Sequence, residues 1–77
     1  MKIKRLAPEW YRLDVQGSPY YADLQKVNDL FWQASIRAKN THAEVTHTRA
    51  FRWLTDVREA AERSVADLAH SEGRPGD

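Results

Sequence analysis

The sequence predicts a mostly α fold, an antiparallel hairpin of two long helices with a short N-terminal β-hairpin or extended segment packed on it, a small α+β domain being the variant reading. Three observations predict it. Apolar residues at Tyr20, Leu24, Val27, Phe31, Ala34 and Ala38 alternate steps of four and three, as one stripe of a helix does. A second stripe runs through Ala43, His47, Ala50, Leu54, Val57, Ala61, Ser64 or Val65, and Leu68. Ahead of both, Tyr11, Leu13 and Val15 alternate with Arg12, Asp14 and Gln16, the period-two pattern of a half-buried strand.

In chain order, the segment from Ile3 to Val15 reads as a small β-hairpin turning at Ala7-Pro8-Glu9 and covering one end of the helical pair, although Pro8 to Arg12 also fits a short helix. Helix A is expected from Pro19 to Lys39. Ser18 offers an N-cap hydroxyl, Pro19 takes the first helical position, Arg37 and Lys39 suit the negative end of the helix dipole, and Asn40 suits a left-handed closing residue. Helix B is expected from near His42, with Thr41 and Glu44 as a capping box, ending before Gly73 and Pro75. Val45-Thr46-His47-Thr48 is the weak stretch, because β-branched residues disfavour helix. Residues 1–70 form a single small helical domain on this reading and residues 71–77 a disordered tail.

The chain has 77 residues and no cysteine, which rules out disulfides and thiolate metal sites and leaves stability to packing or association. Absence of cysteine, of a signal-peptide pattern and of a membrane-spanning run makes a cytoplasmic protein the expectation. A net charge of +1 hides an uneven distribution: residues 1–12 and 37–52 are basic, and residues 53–77 carry six acidic side chains against three arginines.

Two candidate surfaces follow. Tyr21, Trp32 and Ile36 fall opposite the Leu24–Phe31 stripe on helix A, where an exposed aromatic cluster marks a protein-binding hot spot. Arg37, Lys39, Arg49 and Arg52, with Asn40, Thr41, His42 and Thr48, gather hydrogen-bonding and basic groups of the types that contact phosphate. His42, Glu44 and His47 suggest metal ligands by type, but on a helix the two imidazoles diverge by about 140° and no further ligand is at hand. Expected Arg58–Glu62, Glu59–Arg63 and Arg63–Asp67 pairs describe an ordinary solvated helix face. No phosphate loop, nucleophile with a base, or paired acid is present, so neither catalysis nor a cofactor is expected.

The sequence therefore predicts a non-catalytic protein-interaction module, a regulatory or inhibitory binder of another protein such as a phage directs at its host, able to form a homodimer through the aromatic patch. Nucleic-acid binding through the basic end at residues 37–52 is the alternative.

Overall fold

The structure, a computed structural model, describes residues 2–72, with the side chains of 71 and 72 left aside. It is a five-stranded antiparallel meander closed by one C-terminal helix. The strands are β1 (Lys2–Ala7), β2 (Trp10–Asp14), β3 (Tyr20–Lys26), β4 (Trp32–Ala38) and β5 (Glu44–His47), hydrogen-bonded in sequence order, and the helix is α1 (Leu54–Glu72).

This overturns the mostly α helical hairpin. The segment expected as helix A is two strands and the loop between them. Tyr20, Ala22 and Leu24 on β3 and Trp32, Ala34, Ile36 and Ala38 on β4 face one side, in the register Ala22↔Ile36 and Leu24↔Ala34. Four positions of the helical stripe, residues 20, 24, 34 and 38, are inward in either reading, which is why the four-three spacing fitted. The supposed back of helix A carried the contradiction: Ile36 is fully buried, at a position a helix would have turned outward.

The local signals are real but serve turns. Ser18 Oγ accepts the Tyr20 amide at 3.2 Å and Thr41 Oγ1 accepts the Ala43 amide at 3.3 Å, each two residues on, as hydroxyls do in turns that precede strands. Glu44, expected to complete the capping box, instead accepts the Ser35 hydroxyl across the β4–β5 ladder. The left-handed residue is His42, with φ 62°, rather than Asn40. Arg37 and Lys39 serve no helix end: Arg37 donates to the His42 carbonyl at 2.7 Å and Lys39 to the Val15 carbonyl at 2.9 Å.

The expected helix B begins twelve residues late, at Leu54, because Glu44–His47 is the edge strand that the β-branched run favours. Beyond β5 the chain stays along β4. The Thr48 amide donates to the Ala34 carbonyl at 2.9 Å and its hydroxyl accepts the Ala34 amide at 3.1 Å, and Phe51 bridges Trp32 at 2.6 and 2.7 Å. The later half of the stripe is the part that forms helix: Leu54, Val57, Ala61, Val65 and Leu68 pack on Leu13, Ala22, Leu24, Ala34 and Ile36. The N-terminal hairpin is present as two strands of the same sheet, with Ile3, Tyr11 and Val15 completing the core margin. α1 extends through Glu72, and the rest of the expected tail, residues 73–77, lies outside the described residues. No helix among the described residues is long and apolar enough to cross a membrane.

Candidate functional site

With α1 on one face, the other face of the sheet is left open, and its side chains stand in cross-strand rows set by the register. One row runs Trp10, Gln25, Gln33; the next Lys4, Arg12, Asp23, Ser35, His47; the third Lys2, Asp14, Tyr21, Arg37, Glu44. Asp23 is the hub. Its carboxylate accepts Arg12 Nε at 2.8 Å and Nη2 at 3.3 Å and lies 3.7 Å from Arg37 Nε. Arg12 in turn stands 4.6 Å over the Tyr21 ring and 5.8 Å from that of Trp10. Hydrogen bonding to Asp23 pushes the Arg12 guanidinium above its ordinary titration range, so it stays charged at any physiological pH.

At the β4–β5 end, Tyr21 Oη lies 3.0 Å from His42 Nδ1 with the two rings edge-on, and a shallow depression of about 200 Å³ is lined by Arg12, Asp14, Tyr21, Lys39 and His42. The His-x-Glu-x-x-His group is thereby split: His42 turns to Tyr21, while Glu44 and His47 approach only to 3.9 Å. No three His, Cys, Asp or Glu side chains among the described residues are placed to hold a metal ion.

A second surface lies at the opposite end. The β3–β4 connection, residues 27–31, is closed by Asn28, whose side-chain oxygen accepts the Leu30 and Phe31 amides at 2.9 Å, and by a Val27–Phe31 backbone bond. That turn leaves Val27, Leu30 and Phe31 exposed. Trp53, 63 % exposed, stands at the entry to α1, and a groove of about 380 Å³ runs between Leu30 and Trp53, floored by Trp32 and Leu54 and rimmed by Lys26, Asp29 and Arg52.

The residues singled out in the sequence are scattered by this fold. Ile36 is core, Tyr21 is buried on the open face beneath Arg12, and Trp32 lies on the helix side, 5.9 Å from the Tyr11 ring, so the three share no surface. Of the basic set, Arg37 and Lys39 meet Arg12 on the open face. Arg49 lies over Phe51 at 4.5 Å and Arg52 over Trp53 at 5.8 Å, both within the β5–α1 connection.

Sequence reasoning missed the Leu30–Trp53 groove, having placed Val27 and Phe31 on the stripe of helix A and Trp53 within helix B. The available signal was Asn28-Asp29, a turn pair between two alternating runs. Compared with protein-family models, curated proteins and solved structures, the chain matches none.

Proposed function

We propose that the protein is a non-catalytic interaction module that docks another protein through the Leu30–Trp53 groove. The observation carrying this reading is the placement of Trp53. Its carbonyl accepts the first intrahelical bond, from the Val57 amide at 3.2 Å, so Trp53 occupies the N-cap of α1. Indole is a poor choice there, since it brings no acceptor for the orphan amides of the first turn, and more than half of it is in water. A residue that serves neither the helix nor the core, next to an exposed leucine across a groove, fits an aromatic anchor for a partner.

Lys26 and Arg52 against Asp29 make the rim net basic, which favours a partner presenting an apolar side chain flanked by carboxylates and opposes two copies meeting face to face. Lack of cysteine suits a reducing compartment such as the cytoplasm. A regulatory or inhibitory role is the one such a small adaptor would play.

The test is affinity capture from lysate of the source organism or its host with wild type, Leu30→Ser and Trp53→Ser side by side, nuclease-treated, with sedimentation of the isolated protein in parallel. A defined protein retained by wild type and lost by both variants supports the reading. Identical capture by all three removes the groove from it, and self-association abolished by the same variants replaces the foreign partner with a second copy.

A further inference from the structure

We infer that the open face of the sheet is a binding surface for single-stranded nucleic acid, separate from the Leu30–Trp53 groove. Charge is segregated across the fold. The open face carries Lys2, Lys4, Arg12, Arg37 and Lys39 against Asp14, Asp23 and Glu44, whereas α1, on the opposite side, carries Asp56, Glu59, Glu62 and Asp67 against Arg58 and Arg63. A polyanion is therefore drawn to the open face rather than to α1.

The cations differ in what holds them. Lys2 and Lys4 are exposed on the edge strand, and no carboxylate among the described residues lies within ion-pair distance of either. Lys39 is committed to Asp14 at 3.0 Å. Arg12 and Arg37 share a single carboxylate, so their site retains one net positive charge, and each side chain is still 37 % exposed. Asp23 for Arg12, and the His42 carbonyl with Asp23 for Arg37, therefore fix two guanidinium groups at the surface before any ligand arrives, reducing the rotamer entropy that a phosphate contact would otherwise cost.

The neighbouring row supplies what bases need. Trp10 lies partly exposed two residues from Arg12 on the same face, and Gln25, directly beside it on β3, is exposed, with its side-chain amide oxygen and nitrogen placed to meet a base edge. Aromatic stacking with a nearby row of cations is the arrangement by which sheet surfaces hold unpaired strands.

Dimensions choose between single strand and duplex. Five strands at ~4.8 Å separate β1 from β5 by roughly 19 Å, which exceeds the ~12 Å width of a DNA major groove. The sheet cannot enter as a two-stranded ribbon does. An unpaired strand, in contrast, can lie across the rows with phosphates toward Lys2, Lys4, Arg12 and Arg37 and a base over Trp10.

Fluorescence anisotropy of labelled DNA and RNA strands of about 15 nucleotides, beside a duplex of the same length, tests this from about 20 to about 200 mM salt. Single strands are expected to bind, with a log–log salt slope of about −2.8 for four phosphates. The double variant Lys2→Ala/Lys4→Ala, which touches no core residue, should weaken binding about tenfold and reduce the slope by ~1.4, with Arg58→Ala/Arg63→Ala on α1 unchanged. No binding of either strand at low salt, equal binding of the duplex, or equal loss in the α1 variant would overturn the inference.

Discussion

Arg12 Nε lies 2.8 Å from Asp23 Oδ1 across the β2–β3 ladder, with the carboxylate buried and the guanidinium half in water. The pair is asymmetric. Removing Asp23 strands Arg12 and Arg37 together beside the Tyr21 ring, whereas removing Arg12 leaves Asp23 with Arg37 alone. Asp23→Ala should cost about 2 kcal/mol, lowering Tm by roughly 8 to 16 °C in a domain of this size.

The pH dependence of that loss follows from the direction of the Arg12 shift. A raised folded-state pKa contributes stability that is fully present below the unfolded-state value and lost only as pH rises through the folded one. The drop caused by Asp23→Ala should therefore be equal at about pH 7 and about pH 9, measured by thermal melts. A drop that shrinks over this interval would mean that another group carries the pair's stability.

Ile36 and Tyr21 separate core from open face in a way melts can read. Ile36→Ala should cost about 3 kcal/mol, close to the whole net stability of a domain this small, and leave the chain largely unfolded at 37 °C. Tyr21→Phe keeps the ring under Arg12 and loses only the hydroxyl facing His42, so about 1 kcal/mol is expected. Similar costs for the two would place Ile36 outside the core.

The same residues show what was legible. Leu54 to Leu68 read correctly as an amphipathic stripe because a helix covering a sheet has one apolar face and no competing period. Tyr11, Leu13 and Val15 read as strand because their alternation matches no helical spacing. Residues 20–38 satisfied both periods, and propensity did not arbitrate, since Ala22, Ala34 and Ala38 are helix formers placed in strands by their neighbours. Of the site, the Arg37–Lys39 part was visible as a charge cluster. Its junction with Arg12 and Asp23 was not, because register between strands is a tertiary property.

Gly17 offers a clean measure of backbone strain. It has φ 83° at the third position of the Val15–Ser18 turn, where the Ser18 amide bonds the Val15 carbonyl at 3.1 Å, and a Cβ there would meet nothing within 4 Å. Gly17→Ala should therefore cost about 1 kcal/mol from conformation alone, and Gly17→Asn less, because asparagine tolerates positive φ. Chemical denaturation resolves the order, and an alanine variant as stable as wild type would contradict a left-handed residue at this turn.

Trp53 gives the sharpest contrast between stability and function. At the N-cap of α1 a serine hydroxyl would accept an amide that the indole leaves to water, which is worth about 1 kcal/mol. Against this stands the apolar contact of the ring's covered part, which is the smaller share of the residue. Trp53→Ser should therefore raise Tm by roughly 4 to 8 °C while weakening partner capture, and Trp53→Ala should leave Tm nearly unchanged with the same loss of capture. A serine variant that melts well below wild type would show that the indole holds the fold, and the stability argument for a docking anchor would go with it.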